Sequence, residues 1–255
     1  TIIDEVTDNI GWVKIVDAPP GTNAYNIIAT KSGFSQDQTY PIGGSAGANP
    51  LKPDSTVVLQ QVTQTSLSID KISLLNVSTV DSSCLALPNI GFSLTGTKLI
   101  GAPAISKYGT QNFTTDATGS YALTNLEWDT YGALLTSLLY DLAGTTPLPT
   151  FVINPNENKT LQMVAVPHVN RAILVSVKDS LNIAIDGATV RLEKIGFDET
   201  KTTNSLPCPT PGQVFWNGLP VGTYTLTVSK TGYQTSVSSI DMSPSWQNQN
   251  ITLVP

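Results

Sequence analysis

Gly43-Gly44-Ser45-Ala46-Gly47 has the Gly-x-Ser-x-Gly spacing that lifts a nucleophilic serine onto a tight strand-to-helix turn. Pro41, Pro50 and Pro53 surround it and exclude the helix such a turn must enter, so the stretch reads as a flexible Gly/Ser loop. His168 is the single histidine, which confines any Ser/His/Asp triad or imidazole-based metal site to one residue. It follows Pro167 and reads as part of a linker. Glu127 and Asp129 stand two apart across Trp128, and on a strand they would share a face, as the paired carboxylates of a glycosidase must. Asp70, Asp81, Asp179 and Asp186 lie near expected strand ends, where hard oxygen ligands for calcium could converge, but no loop carries EF-hand spacing. Cys84 and Cys208 are too few for a disulfide framework and have no zinc-like spacing; a mutual disulfide, free thiols and partners elsewhere all stay open.

Indole rings stack on sugars and anchor interfaces, which makes Trp12, Trp128, Trp216 and Trp246 candidates for contact. Three of them fall at repeat-equivalent positions and read as core; Trp246, just before the last strand, is the exception and the one candidate among them for an intermolecular contact. Asn-x-Ser/Thr triplets begin at Asn76, Asn112, Asn158 and Asn250, about the number expected by chance in a chain so rich in Ser, Thr and Asn.

The elements that would position these groups are strands. Charged residues make up 13% of the 255 residues, too few to coat long exposed helices, while Thr and Val favour a pleated surface. The net charge of -6 offers no electrostatic footprint for nucleic acid or an anionic membrane, and no apolar run is long enough to span a bilayer. The start at Thr1, without Met or leader, is expected of a processed product or a fragment.

Self-comparison reveals three copies of one unit. Copy three reads Gly212-Gln-Val-Phe-Trp216, then Leu219-Pro-Val-Gly-Thr-Tyr224 continuing to Lys230-Thr-Gly-Tyr233, then Asn250-Ile-Thr-Leu-Val254. Copy one reads Gly11-Trp-Val-Lys-Ile15, Ala18-Pro-Pro-Gly-Thr-Asn-Ala-Tyr25 continuing to Gly33-Phe34, and Thr56 to Val62. Copy two reads Gly119-Ser-Tyr-Ala-Leu123, Leu126 to Leu135, and Thr160 to Val166. Each predicts a short strand opened by Gly, a turn, a longer alternating strand and a closing strand; in Tyr224-Thr-Leu-Thr-Val228 the odd-one-out threonines face water. Copies two and three also carry a preceding block, at Leu75 to Leu94 and Leu174 to Leu192, that supplies the opposing strands. Copy one lacks it, which predicts exposed apolar faces and an unpaired edge.

At Gly187-Ala-Thr-Val-Arg-Leu192, Gly212-Gln-Val-Phe215, Leu219 to Leu226 and Lys230-Thr-Gly-Tyr233 the chain resembles carboxypeptidase-regulatory-like domains, and through them the B-type repeats of bacterial collagen adhesins. Val16-Asp-Ala-Pro-Pro-Gly21, Phe92 to Gly101, Asn125 to Tyr131 and Tyr140 to Gly144 are similar to repeats of bacterial pilin-like surface proteins. The resemblance implies transthyretin-like or Ig-like sandwiches on a bacterial surface, and places Glu127 and Asp129 in a solvated turn beside a packed Trp128. Some adhesin repeats form a Lys-to-Asn isopeptide bond assisted by a buried acid; Lys178 and Asn250 stand near those positions. The strand Tyr224 to Lys230 lacks the acid, so a solvated Lys and a surface Asn are expected.

The expectation is therefore an all-β chain of tandem sandwiches: an incomplete repeat over 1–70, then repeats over 71–169 and 170–255. Its expected role is structural, in a pilus-like filament or stalk at the cell surface, with no catalytic, cofactor or metal residue. The alternatives are an adhesin whose loops at 40–54 and 204–212 bind glycan or protein, and an accessory module of a secreted enzyme. Self-association through the open edge of the first repeat, or completion by an upstream segment, is the expected partnership.

Overall fold

The computed structural model describes residues 2–243 and 246–255, which form strands and turns with no helix. Contacts divide the chain into two compact units: residues 1–32, 36–69 and 99–105, and residues 33–35, 70–98 and 106–255.

The first unit is built of short pieces. β1 (Gly21–Tyr25), β2 (Ile28–Ala29), β3 (Asp37–Gln38), β4 (Asn49–Pro50) and β5 (Ser55–Val57) pair as β1 with β5, β2 with β3, and β4 with a later strand. Residues 2–20 contain no strand, so Gly11 to Ile15 does not form the opening strand its pattern predicts. The closing stretch is a strand only over β5, and it pairs with β1 in a way that neither other copy repeats.

The second unit holds two full sandwiches. In the first, β6 (Ser73–Val80) and β7 (Gly91–Gly96) come before a hairpin of β8 (Leu99–Ala102) and β9 (Ile105–Ser106), of which β8 belongs to the first unit and pairs there with β4. Then come β10 (Gln111–Thr114), β11 (Ser120–Leu126), β12 (Asp129–Leu135), β13 (Tyr140–Thr146), β14 (Thr150–Ile153) and β15 (Asn158–Pro167). Its sheets have the orders β10-β7-β12-β14 and β11-β6-β15-β13. The second sandwich consists of β16 (Ala172–Lys178), β17 (Thr189–Lys194), β18 (Phe197–Thr202), β19 (Gln213–Trp216), β20 (Thr223–Ser229), β21 (Ser236–Asp241) and β22 (Trp246–Thr252), in the orders β19-β16-β22 and β18-β17-β20-β21.

Alternation sets the faces. On β20, Tyr224, Leu226 and Val228 are buried while Thr225 is exposed and Thr227 half-buried, as period two requires. β16 departs from alternation: Ala172 to Val177 are all buried. Ile173, Val175 and Val177 enter the core of their own sandwich, while Ala172 and Leu174 join Leu142, Ala143, Phe215 and Cys208 in the core of the preceding one. Burial on both faces explains an apolar run where a half-buried strand would alternate.

Candidate functional site

The geometry that distinguishes this chain lies in how its strands are tied end to end. In both complete sandwiches the first strand runs parallel to, and beside, the last. β6 pairs with β15 from Leu74↔Asn158 to Val80↔Val164, and β16 pairs with β22 from Ala172↔Trp246 to Lys178↔Thr252. On its other side each first strand pairs antiparallel with the strand opened by Gly119 or Gly212.

Two small devices recur around this framework. The first is an aspartate turn. Asp116 Oδ1 accepts the N–H groups of Thr118 (2.8 Å) and Ser120 (3.1 Å), so that Gly119 enters the following strand at positive φ. Asp8 does the same with Ile10 (3.0 Å) and Trp12 (2.9 Å) before Gly11. Asp81 and Asp179 build related turns, each accepting two N–H groups, with Cys84 and Asn182 at the positive-φ position. The second device is a tyrosine whose hydroxyl donates to a carbonyl a few residues upstream: Tyr25 to Pro19 (2.6 Å), Tyr131 to Glu127 (2.8 Å) and Tyr224 to Pro220 (2.7 Å). Burial pushes the phenols of Tyr131 and Tyr224 up, which keeps them protonated as donors.

Cys84 and Cys208 form a disulfide between the two sandwiches, closing a loop of 124 residues. Chain-entropy reasoning puts its stabilisation at up to about 4–5 kcal/mol. The Cys208 N–H donates to the Ser82 carbonyl (3.0 Å), and the Cys208 side chain is fully buried. Close by, the buried amide of Gln213 acts as a strand partner for Thr145, accepting from its N–H (2.9 Å) and donating to its carbonyl (2.5 Å). Gly144 has no room for a side chain, because a Cβ there would meet Thr210. Together with the shared core these contacts weld the two sandwiches. Asp81-Ser-Ser-Cys84 against Asp179-Ser-Leu-Asn182 was the sequence signal for this site: a cysteine occupying a turn position that its twin gives to Asn.

The residues singled out for chemistry are placed otherwise. Ser45 is exposed in a turn closed by bonds among Pro41, Gly43, Gly44 and Gly47, and the chain then enters β4 rather than a helix. His168 does lie between the sandwiches, with Nδ1 2.8 Å from Asp141 Oδ1, while Asp141 Oδ2 accepts the Val169 N–H. Glu127 and Asp129 are not in a solvated turn. Glu127 bridges Lys98 (2.7 Å) and Lys107 (2.6 Å); buried Asp129 accepts from Thr97 Oγ1 and the N–H groups of Lys98 and Thr130. Asp186 holds Gly212 N–H and Asn204, and Asp81 and Asp179 are spent on their turns. Among the described residues no three His, Cys, Asp or Glu gather as a metal site.

Of the tryptophans, only Trp216 is a buried core residue, with its Nε1 donating to Glu199 (3.0 Å). Trp12 is 59% exposed in a stretch that forms no strand, and Trp128 is 44% exposed under the ammonium of Lys98. Trp246 packs instead against the core of the preceding sandwich, within the chain. Lys178 donates to Asn182 (2.7 Å), and Asn250 is exposed, the surface pair expected. The stretch 204–212 is anchored by buried Cys208 and Thr210 with Ser205, Pro207 and Pro209 exposed beside them, and 40–54 pairs with β8 through β4 and buries Ala46 while most of its residues stay exposed.

Residues 172–254 match the sequence profile of the carboxypeptidase regulatory-like domain. That match covers the second sandwich of the larger unit, the copy in which the repeat pattern is clearest. No curated protein matches the chain by sequence. Among solved structures it is similar to the Bacillus anthracis TIE protein (13% identity, 90% of this chain and 47% of that one, TM-score 0.28). It is also similar to GBS52, a minor pilin of Streptococcus agalactiae (12%, 72% and 97%, 0.27), and to the shaft pilin SpaA of Lactobacillus rhamnosus (10%, 73% and 98%, 0.25). The chain spans about half the length of the Bacillus anthracis protein.

Proposed function

We propose that the chain is a load-bearing structural segment of a bacterial cell-surface appendage, a pilus-like filament or stalk, and not an enzyme. One observation carries this reading: in both complete sandwiches the first and last strands are parallel neighbours over seven register pairs. Tension enters at the start of one and leaves at the end of the other. It must slide the strands along each other, so the backbone bonds of the pair resist together instead of opening one by one. Repetition of the arrangement suits a tandem rod.

The inter-sandwich disulfide supports a location outside the reducing cytoplasm, where such bonds persist. The test is immunogold electron microscopy of cells expressing the full gene. Gold along extended surface fibres or stalks is the expected result, and label confined to the cytosol would overturn the assignment. Saturable binding on a glycan array would move it to the adhesin alternative.

A further inference from the structure

Copy one carries the aspartate turn, the strand-opening glycine and the tyrosine bond of copy two but, among the described residues, neither of the two strands that begin each complete copy. Its Asp8 turn, Gly11 at φ +84° and the Tyr25-to-Pro19 bond match those at Asp116, Gly119 and Tyr131. In the complete copies the glycine is crowded by the first strand: a Cβ would lie 2.9 Å from the Thr79 carbonyl at Gly119 and 2.6 Å from the Val177 carbonyl at Gly212. The same carbonyl-bearing strands donate back, Thr79 N–H to Gly119 and Val177 N–H to Gly212. At Gly11 nothing lies within 4 Å. Val13 (45% exposed) and Ile15 (47%) take the places of Val214 and Trp216, which are buried to 1–2%. Leu59 is 71% exposed where Met163 and Leu253 are buried.

The geometry points to a two-strand completing segment, supplied by the same polypeptide on the N-terminal side of Thr1, that docks on copy one. Its first strand lies between Gly11–Ile15 and Thr56–Val62, antiparallel to the former and parallel to the latter, with aliphatic residues at alternate positions to meet Val13, Ile15 and Leu59. Its second strand enters the opposite sheet beside β1. The complete copies specify both: β6 and β7 in one, β16 and β17 in the other, each standing at the centre of its sheet. Among the described residues copy one has a counterpart of neither. A strand donated by a neighbouring subunit would fill one sheet and leave the other open, whereas in the complete copies the chain upstream of the strand-opening glycine supplies both. On docking, the β1–β5 pairing gives way, because in the other copies these two strands belong to opposite sheets.

Hydrogen exchange followed by mass spectrometry tests this without reference to filaments. The protein made from its full gene is compared with the chain beginning at Thr1, each at several concentrations. Amides of 11–16 and 56–62 are expected to exchange roughly a hundredfold slower in the full protein at every concentration. Ile15→Asp there is expected to abolish the slow exchange in both segments while leaving 73–243 unchanged. Equal exchange in the two proteins would overturn the inference, as would slow exchange that Ile15→Asp does not move. Protection that appears in the Thr1 chain only as concentration rises would overturn it in favour of a second copy as the partner.

Discussion

Tyr25, Tyr131 and Tyr224 show how one side chain can fix a turn. Each hydroxyl reaches a carbonyl that the turn would otherwise leave without a partner, and Tyr224 is 1% exposed, so deleting its hydroxyl strands that carbonyl. Tyr224→Phe is expected to lower stability by about 1–2 kcal/mol in denaturant titration, with the strand pattern in far-ultraviolet dichroism unchanged. Carboxylates supply a second residue-scale expectation. Burial works against ionisation of Asp37, but the Lys52 ammonium and the N–H groups of Ser68 and Gln38 outweigh it and hold the carboxyl below its usual range. The Asn154 N–H, and after it Lys159, do the same for Glu157. A carboxyl depressed in the folded state contributes stability that is present above its unfolded value and lost as pH falls through its folded value. The melting temperature is therefore expected to hold above about pH 5 and to fall below about pH 4. A midpoint unchanged down to pH 3 would contradict these two roles.

Among elements, the strand-opening glycines separate a formed sheet from an open one. Gly212→Ala combines a positive φ with a collision against Val177 and Ala184, and is expected to cost about 2–3 kcal/mol. Gly11→Ala meets no atom in this chain, so its expected cost is only the about 1 kcal/mol of left-handed backbone. Thermal melts of the two variants, read against the parent, separate these effects.

The same glycines mark how far the sequence could be read. Period two along Tyr224 to Val228, and the repeated Gly, Tyr and Gly-aromatic positions, made the strands of the complete copies legible, since local pattern and burial agree there. β16 was legible as a strand but not as a two-sided one: an apolar run looks the same whether its second face meets a neighbouring sandwich or a thicker core. The partnership of Cys84 with Cys208 depends on a fold that brings residues 124 apart together, and no local spacing records that. The engagement of Glu127 by Lys98 and Lys107 was hidden for the same reason. Copy one read as strands from its pattern, yet Gly11 to Ile15 forms none: its counterparts β11 and β19 are edge strands that pair only with the first strand of their sandwich, and that partner has no counterpart among the described residues of copy one.

At the scale of the molecule, the disulfide adds a limit to extension. Cys84 follows the first strand of one sandwich and Cys208 precedes the second strand of the next sheet, so the covalent bridge bypasses most of the chain between Ser73 and Val254. With the bridge reduced, the parallel end strands set how much force is resisted; with it formed, β15 and β16 lie inside the bridged loop, off the line of tension, and the bridge sets how far the protein can yield. Pulling single molecules from handles at residues 72 and 255 by atomic force microscopy, with and without reductant, tests the load-bearing account most directly. The account predicts abrupt, high-force rupture releasing about 65 nm of chain when reduced, and a release limited to about 20 nm when oxidised, at roughly 3.6 Å per residue. Gradual yielding at low force when reduced, or the same released length in both conditions, would contradict it.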